Sequence, residues 1–467
     1  LSGLVGSEMC IRDSPPCLQG QTGDAPIDLP CPEIPTVCRL KPSGSPAYGC
    51  TATPIFRFVC GFESDASGNP VFLGAQQMSD LGRILGASGP LAKALPGFKP
   101  REAQVEMALA VERAIQGKTT LVAEAGTGTG KTFAYLVPTL LAGRRAIIST
   151  ATKTLQDQLF LKDLPIVRKA LQRPFDSALL KGRGNYLCLY RLENSLGFRQ
   201  GFGHREAVAL EAITRWSKNT RTGEINEAVN VPESSPLWSQ VTSTVDNCLG
   251  ADCTFYEDCF LVRARKKALE ADIVVINHHL LWADWTLKQG GFGEILPHTE
   301  IIVVDEAHQF LESATQFLGL SISSRQFSDL VNDSVMESLK EAGDHRLLQT
   351  CAEQLEHDLA HLRLSLGEET SRRETWSKVS EDHTLQTALS HFQNQLNALE
   401  AALKPMASLG KGLESCAARA TDLNASLNQF LKPDEVATVR WFETHKRGFT
   451  LNRTPLEISR EFAAFRE

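Results

Sequence analysis

The sequence lacks two features that would each point to a particular class of protein. It contains no run of about 18 or more apolar residues, so no membrane-spanning helix is expected. Its 48 basic residues do not outnumber its 55 acidic residues, and a net charge of −7 gives no general attraction to nucleic acid. Any site for a polyanion must therefore be a local basic patch.

The start of the chain also lacks an export signal. The opening "LSGLVGSEMCIRDS" has neither a basic leader nor an apolar core of signal-peptide length. We therefore read the protein as cytosolic and its 12 cysteines as reduced thiols, although half of them fall in the first 60 residues. Residues 1–77 are rich in Pro, Gly and Ser, and the opening is similar to a translated sequencing-adapter artefact. We expect residues 1–77 to be spurious or disordered, with Met78 as the true start; a six-cysteine metal module is the alternative, but the spacings fit no zinc pattern.

A glycine-rich turn stands between an apolar run and a helical pattern in "KTTLVAEAGTGTGKTFAYLVPTLL". Its glycines allow the backbone N–H groups to point at phosphate oxygens, and the following helix adds its positive end. Lys131 is expected to reach the outer phosphates, and Thr132 to offer its hydroxyl to Mg²⁺. Ala125 takes the place of the first glycine of the usual pattern and is small enough for the turn. The alternative is a flexible loop without a ligand.

A second motif, "EIIVVDEAHQF", follows about 170 residues later. Its run of residues 301–304 is continuously apolar, which is typical of a buried parallel strand. Asp305, at the carboxyl end of this strand, is expected to hold Mg²⁺, and Glu306 to deprotonate the attacking water. We expect the two motifs to face each other across neighbouring strand ends and to hydrolyse a nucleotide. The alternative is a surface turn with two solvated carboxylates.

These stretches resemble the motifs of superfamily 2 helicases. "EAGTGTGKT" and "VVDEAH" resemble motifs I and II, and "AIISTATKTLQDQL" resembles motif Ia, which touches the DNA backbone. "FKPREAQVEMA" resembles the upstream segment whose glutamine, here Gln104, reads adenine. "LLKGRGNYLC", "ARKKALEADIVVINHHLL" and "LNRTPLEISREF" narrow the resemblance to the XPD-like, DinG-type iron–sulfur group, and within it to the bacterial YoaA branch. The resemblance runs from about residue 78 to the last residue.

The resemblance implies an ATP-dependent 5′–3′ DNA helicase of repair or replication, working in the bacterial cytoplasm on single-stranded or forked DNA and not on membranes. The implied catalytic residues are Lys131, Asp305, Glu306 and His308. The implied nucleotide-binding residues are Gln104, Ala125, Gly126, Thr127, Gly128, Thr129, Gly130, Lys131 and Thr132. In the family a second motor domain follows "TPLEISREF", so we expect this chain to be a fragment that binds ATP weakly and does not unwind DNA. The competing hypothesis is a non-catalytic, metal-containing module that binds single-stranded DNA.

Three cysteines lie close together in "NCLGADCTFYEDC", namely Cys248, Cys253 and Cys259. With Cys188 they form a set between motifs Ia and II. Four thiolates favour either an iron–sulfur cluster or zinc, and buried free cysteines are the alternative. In the family, four cysteines in this interval hold a [4Fe–4S] cluster, and the resemblance implies the same here.

Polar and basic side chains near these motifs are candidate DNA contacts. Hydroxyl and amide groups can hydrogen-bond to phosphates, and an aromatic ring can stack on an unpaired base. The predicted contacts are Thr150, Thr152, Gln156, Lys181, Arg183 and Tyr186. Further basic residues that follow the cysteines are Arg263, Arg265, Lys266 and Lys267. The alternative is a solvated helix face without a partner.

The predicted fold class is α/β, with a RecA-like P-loop domain built on a parallel sheet, an inserted iron–sulfur domain and an α-helical arch. The arch is predicted because leucines between Leu348 and Leu427 recur at spacings of three, four and seven, which places them on apolar helix stripes. The predicted boundaries are residues 78–180 and 263–324 for the motor domain, 181–262 for the cluster domain, 325–445 for the arch, and 446–467 for a return to the motor domain.

Overall fold

The computed structural model describes residues 36–39 and 80–466, except 127, 198–202, 290–294, 368, 434–437 and 447. Most of the segment 1–77, including the expectation that it is spurious or disordered, lies outside the described residues. None of the helices in the described part of the chain is long and apolar enough to span a membrane.

The first third of the chain supplies two of the four strands of a parallel sheet, a separate strand pair, and the helices on one face of the sheet. In chain order its elements are β1 (Thr36–Arg39), α1 (Asp80–Ile84), α2 (Pro90–Ala94), α3 (Glu102–Gly117), β2 (Leu121–Glu124), α4 (Lys131–Leu141), β3 (Ala146–Thr150), α5 (Lys153–Gln158), α6 (Leu164–Leu171) and β4 (Ser177–Leu179). A π-helix at Leu159–Asp163 joins α5 to α6.

The middle of the chain makes a small helical domain around the cysteines and then returns to the sheet. Its elements are α7 (Leu189–Gly197), α8 (His204–Ser217), α9 (Trp238–Val241), α10 (Phe260–Glu270), β5 (Ile273–Asn277), α11 (His278–Gln289), β6 (Ile301–Val304) and α12 (Ala307–Leu318). Residues 181–262, here called the cysteine domain, have a core of their own that includes Leu192, Ile213 and Trp238.

The last third is mainly helical. Its elements are β7 (Leu320–Ser323), α13 (Ser324–Glu341), α14 (Arg346–Ser365), β8 (Arg373–Thr375), α15 (His383–Leu403), α16 (Lys411–Leu431), β9 (Thr438–His445), β10 (Gly448–Pro455) and α17 (Ser459–Arg466). Residues 320–455 share one core and are called the helical domain below.

The parallel sheet has the strand order β4-β5-β3-β6, and we call it, with the helices on its two faces, the sheet domain. Successive residues of a strand point to opposite faces, so Ile148 and Val275 pack on the α4 and α6 side while Ile147 and Val274 pack on the α11 and α12 side. The central strand β5 is apolar and buried over residues 273–276 because helices cover both of its faces, whereas Ile302 of the edge strand β6 is 49% exposed. The prediction of an α/β fold with a parallel sheet is confirmed.

The position of β2 corrects one expectation. The strand that leads into the phosphate loop pairs in parallel with β1 and is not hydrogen-bonded to β6. A cleft of about 840 Å³ separates the two strands, lined by Leu121 and Ala123 on one side and by residues 301–304 on the other. The two motifs therefore do not lie on neighbouring strands of one sheet, although their ends still meet.

The helical domain follows the leucine stripes and adds a sheet that the sequence analysis did not predict. Leu348, Leu355 and Leu396 are fully buried, as the stripes require, whereas Leu409 is exposed. An antiparallel sheet of order β7-β10-β9-β8 packs against these helices. Because β10 belongs to this sheet, the chain returns to the sheet domain at α17, not at residue 446; Phe465 of α17 packs against Trp282.

Candidate functional site

The phosphate loop runs from the end of β2 to the start of α4. Gly128 and Gly130 have φ values of +77° and +84°, the left-handed region that glycine adopts without strain. The Thr129 hydroxyl donates to the carbonyl of Gly126 at 2.8 Å and tightens the turn. Thr127 lies outside the described residues, and Ala125 lines the cleft beside β2. The turn thus ends directly at the positive end of an 11-residue helix.

The acidic pair meets the loop at the carboxyl end of β6. Lys131 Nζ lies 3.3 Å from Glu306 Oε1, and both side chains remain about one-third exposed, at 27% and 30%. Glu306 adopts φ +55°, a left-handed conformation that is costly for a residue with a side chain and that turns its carboxylate toward the loop. Two motifs 175 positions apart are therefore within direct contact of each other.

Asp305 lies in a less solvated position than Glu306. Burial raises the pKa of the Asp305 carboxyl, the neighbouring charge of Glu306 raises it further, and Lys131 opposes both. The backbone N–H of Asp305 donates to the carbonyl of Ser149 at 2.8 Å, which ties the end of β6 to β3. A divalent cation bound there would remove the repulsion between the two carboxylates.

Tyr135 is a site residue that the sequence analysis missed. Its hydroxyl donates to Asp305 Oδ2 at 3.4 Å and also interacts with the Thr132 side chain. Burial raises the pKa of this phenol, so it remains a neutral donor. Tyr135 lies three positions after Thr132 on α4, and helical spacing puts both on the face toward β6. That spacing was the available signal.

Gln104 contacts the phosphate loop. Its Nε2 donates to the carbonyl of Gly130 at 2.9 Å, and a side chain at Gly130 would collide with it, because a Cβ there would lie 2.1 Å from the same nitrogen. Its Oε1 is buried and has no hydrogen-bond partner among the described residues. The amide orientation is fixed because a carbonyl acceptor requires the NH₂ group. The free oxygen is an acceptor that a donor such as an adenine amino group can use.

A buried histidine sits behind the acidic pair. His278 is 1% exposed, and its Nδ1 lies 2.7 Å from the Ser149 hydroxyl on β3. Burial lowers the pKa of His278 to about 4, against the opposing effect of the backbone at Asp305 and Glu306. The ring is therefore neutral at physiological pH. By contrast His308 is 66% exposed, with Nδ1 3.6 Å from Glu306 Oε2.

The four cysteines of the predicted set are free thiols, and all are half-buried. Burial raises the pKa of the Cys188 thiol to about 11, and charge on Cys248 and Cys253 adds to the effect. Burial likewise raises the pKa of Cys253, with further contributions from Cys248 and Cys259. The structure therefore brings the four thiols into one electrostatic neighbourhood, although 59 residues separate the first two in sequence. No three His, Cys, Asp or Glu side chains among the described residues form a group that could hold one metal ion.

The predicted DNA contacts divide by burial, and Tyr186 requires a correction. Its ring is 2% exposed inside the cysteine-domain core, and its hydroxyl accepts from the backbone N–H of Lys181 at 3.1 Å. The expectation that Tyr186 stacks on bases is wrong for this structure, because both faces of its ring are covered. Thr150 and Gln156 are also buried, and Gln156 Nε2 donates to the carbonyl of Leu180 at 3.5 Å.

Lys181 is engaged inside the protein and is not free to meet a phosphate. Its Nζ lies 2.7 Å from Asp157 on α5 and 2.9 Å from Glu224 in the cysteine domain, and the side chain is 4% exposed. Burial alone would lower the pKa of Lys181, but the hydrogen bonds that its ammonium donates to Asp157 and Glu224, together with their negative charges, outweigh burial and raise the pKa. This corrects its assignment as a DNA contact: it joins the sheet domain to the cysteine domain.

Two predicted contacts remain accessible. Thr152 is exposed, and its hydroxyl caps α5 by accepting from the backbone N–H of Leu155 at 3.2 Å. Arg183 is half-buried, and its Nε has no hydrogen-bond partner among the described residues. The Nε of Arg265 likewise has no hydrogen-bond partner among the described residues. Burial lowers the pKa of Arg265, and the positive charge of Arg183 lowers it further. Two guanidinium groups thus lie near each other without a carboxylate partner within the described chain.

Comparison with known proteins gives a consistent assignment. Residues 105–168, from α3 to α6, match the family model described as DEAD/DEAH box helicase. The chain is 44% identical over 376 residues to the ATP-dependent DNA helicase YoaA of Escherichia coli, which covers 80% of this chain and 59% of that protein. It is 41% identical over 388 residues to the protein of the same name from Haemophilus influenzae, covering 83% of this chain and 60% of the relative.

More distant matches agree. The ATP-dependent helicase DinG of Mycobacterium tuberculosis is 36% identical over 281 residues, covering 54% of this chain and 42% of the relative. A solved structure described as truncated XPD aligns with 77% of this chain and 88% of its own at 16% identity, with a TM-score of 0.34, too low to show a shared fold. The chain spans about three fifths of the length of the YoaA relatives. Residues 105–168 thus match a DEAD/DEAH box helicase model, and the chain is similar to the YoaA helicases over about 80% of its length and to the DinG helicase over about half of it.

Proposed function

We propose that the protein is an ATP-dependent DNA helicase that couples ATP hydrolysis to 5′–3′ translocation on single-stranded or forked DNA in the bacterial cytoplasm. The observation that carries the proposal is the 3.3 Å contact between Lys131 of the phosphate loop and Glu306 of the acidic motif. A lysine and a carboxylate that are in contact and about one-third exposed can be reached by a nucleotide phosphate and its metal ion. The names of the relatives support DNA as the substrate.

In this proposal the residues around the loop divide the work of hydrolysis. Lys131 and the loop backbone would hold the phosphates, and Thr132 and Asp305 would hold Mg²⁺, which would supply charge neutralisation on the phosphates. Glu306 would orient a water and take its proton as the water attacks the γ-phosphorus, while the bond to the bridging oxygen breaks and ADP leaves. Tyr135 would orient the Asp305 carboxylate, and Gln104 Oε1 would accept from the adenine amino group.

The cysteine set is proposed to hold a [4Fe–4S] cluster. Four thiols without other ligand types suit iron–sulfur chemistry. A single tetrahedral ion at about 2.3 Å from each sulfur would bring the sulfurs within roughly 3.8 Å of one another. Among the described residues no three ligands are grouped that tightly. The support for a cluster in this proposal is that all four residues of the set are free thiols.

We propose that Arg183 and Arg265 contact the DNA backbone beside this domain. The support is their buried, unpartnered Nε groups and their mutual proximity, which leaves positive charge for an external anion to neutralise. Thr152, Lys266 and Lys267 are exposed and are further candidate contacts. Such contacts read no sequence, so affinity should fall steeply with salt.

The test of the helicase proposal is ATP hydrolysis and strand separation by the full-length protein, with Lys131→Ala as the variant and Lys169→Ala as the charge-matched control. Lys169 lies on α6 and is exposed. The expected result is hydrolysis stimulated by single-stranded DNA, unwinding from a 5′ overhang only, and loss of both in Lys131→Ala alone. DNA binding without hydrolysis in the unmodified protein would favour the non-catalytic binding module instead.

The cluster has its own test. Anaerobically purified protein is expected to contain iron and sulfide and to absorb broadly in the visible range, and Cys188→Ser should abolish the absorbance. Cys351→Ser, at a half-buried thiol in the helical domain, is the matched control and should leave it unchanged. Stoichiometric zinc without colour would remove the cluster from the proposal and leave the nucleotide site untouched.

A further inference from the structure

Helix α7 begins at the first cysteine of the set and ends against the helical domain. The backbone N–H of Leu192 donates to the carbonyl of Cys188 at 2.9 Å, so this cysteine stands at the start of the helix. The Cys188 N–H in turn donates to the carbonyl of Val241 at 2.8 Å, which fixes the cysteine within its own domain. Whatever moves the first turn of α7 therefore moves Cys188.

The same turn carries an arginine that reaches across to the helical domain. Arg191 Nη1 donates to both carboxylate oxygens of Asp333 on α13, at 2.9 and 3.1 Å, and its Nε donates to the carbonyl of Gln240. Arg419 of α16 donates to the same carboxylate at 2.7 Å. All three charged side chains are about nine-tenths buried, with exposures of 8–12%. Water therefore screens this network little.

A second contact between α7 and α13 lies one turn further along α13. The Tyr190 hydroxyl donates to Glu337 at 2.7–2.8 Å, and Asn194 Nδ2 donates to Glu337 Oε1 at 2.9 Å. Lys340 Nζ donates to Asn194 Oδ1 at 3.2 Å and lies 4.2 Å above the ring of Tyr190. Asp333, Glu337 and Lys340 follow the i, i+4, i+7 spacing of one helix face.

This interface is polar, buried and geometrically specific. Burying two ions has a desolvation cost that cancels much of their attraction, so such a network contributes little net stability. Its effect is instead to define one arrangement, because removing either partner leaves an unpaired buried charge. The contact between α7 and α13 therefore has few alternative registers, and a displacement at one end is transmitted to the other.

We propose that α7 is a clasp that couples the cysteine set to the helical domain, with Arg191 and Tyr190 as the positioning residues that keep Cys188 in place through Asp333 and Glu337. This deepens the proposed function, since the clasp holds a ligand of the proposed cluster. By reciprocity, binding of a cluster by the thiols would in turn stabilise the docked position of α13.

The test measures the alkylation rate of each cysteine by iodoacetamide in the metal-free 467-residue chain, with the sites resolved by mass spectrometry. Arg191→Gln is expected to increase the rate at Cys188 by about tenfold or more, because opening of the first turn of α7 becomes easier. Tyr190→Phe, which removes one hydroxyl and no charge, should act in the same direction and more weakly. The positive charge of Arg191 favours the thiolate of Cys188, so its loss would by itself make alkylation of Cys188 slower. A faster alkylation of Cys188 in Arg191→Gln therefore reports opening of the helix and not the lost charge.

Two internal controls make the result decisive. Arg346→Gln removes the same charge from an exposed position on α14 of the helical domain and should change nothing. Cys351 on α14, half-buried against the core of the helical domain, reports general unfolding, and its rate should not change. If Arg191→Gln also raises the rate at Cys351, the result of Tyr190→Phe decides between local opening and general unfolding. Two combined results would overturn the clasp. In both, Tyr190→Phe leaves the Cys188 rate unchanged, and Arg191→Gln either leaves that rate unchanged as well or raises it together with the rate of the control cysteine. Because no metal or ATP is present in the experiment, either result would leave the helicase and cluster proposals standing.

Discussion

The nucleotide site and the cysteine domain use similar side chains in opposite ways. In the nucleotide site Lys131 and Glu306 touch each other yet stay about one-third exposed, so a ligand can replace their contact. In the cysteine domain Lys181 is 4% exposed between two carboxylates, and its charge is fully used within the protein. A charged motif residue therefore marks a binding site only where the fold leaves it accessible.

This contrast predicts that substitutions in the nucleotide site change activity more than stability, and that substitutions at the domain junction do the reverse. The largest effect is expected for Glu306→Gln. Loss of the proton acceptor should lower the ATP hydrolysis rate of the full-length protein by about 10²-fold or more, whereas affinity for ATP should be retained. Steady-state kinetics measure the hydrolysis rate, and equilibrium binding of a fluorescent ATP analogue measures the affinity. Retained hydrolysis would reassign Glu306 to a structural pairing with Lys131.

Lys181→Ala should have the next largest effect, and on stability. Its removal leaves Asp157 and Glu224 without their cation, and breaking a buried ion network from one side costs roughly 3 kcal/mol. Chemical denaturation of the 467-residue chain measures this cost. The control is Lys267→Ala, which removes an exposed lysine from α10 and should leave the stability unchanged. A stable Lys181→Ala variant with weakened DNA binding would restore the original assignment of Lys181 to the DNA interface.

A smaller effect is expected from acid and His278. The pKa of the folded-state ring is about 4 and that of an unfolded histidine is about 6.5, so the unfolded chain binds the extra proton first as pH falls. The contribution of His278 is fully present above pH 6.5 and is lost as pH falls toward 4. Between pH 7 and pH 5 the loss amounts to about 2 kcal/mol. The His278→Asn variant should not show this loss of unfolding free energy between pH 7 and pH 5. If the free energy of unfolding changed equally with pH in the variant and in the unmodified protein, the buried neutral ring would be contradicted.

The smallest effect is expected for Tyr135→Phe. The change removes one hydrogen bond to Asp305, worth about 1 kcal/mol, and should raise the Mg²⁺ concentration needed for half-maximal hydrolysis by roughly fivefold. The rate at saturating Mg²⁺ should change little, because the phenol orients a metal ligand and does not act on the phosphate. A fall in the saturated rate with unchanged Mg²⁺ dependence would place Tyr135 in the catalytic step itself.

The sequence predicted the parts of the molecule that local chemistry determines. Glycines at positive φ fix the loop, and a continuously apolar strand that ends in Asp305 and Glu306 identifies the motif at its carboxyl end. The leucine spacing likewise predicted α14, α15 and α16 because each stripe is a property of a single helix. These features depend on residues close together in the chain.

The sequence did not predict features that depend on what packs against a residue. Tyr186 and Lys181 look like a stacking ring and a phosphate contact until the fold buries them. The separation of β2 from β6 depends on strand pairing, which a pattern within one strand does not encode. Strands β9 and β10 alternate buried and half-buried residues, with Phe442, Thr444, Phe449 and Leu451 on the buried face. Because the alternation is confined to a few positions in each strand, it is a weaker signal than the longer helical stripes.

The central claim is that the phosphate loop and the acidic pair form one site for a nucleotide with its metal. The most direct measurement is the affinity of the 467-residue chain for a fluorescent ATP analogue, with and without Mg²⁺, in the unmodified protein, Asp305→Asn and Lys131→Ala. We predict that Mg²⁺ tightens binding to the unmodified chain by about tenfold, that Asp305→Asn abolishes this gain, and that Lys131→Ala weakens binding in both conditions. Equal Mg²⁺ dependence in the unmodified chain and in Asp305→Asn would contradict the claim.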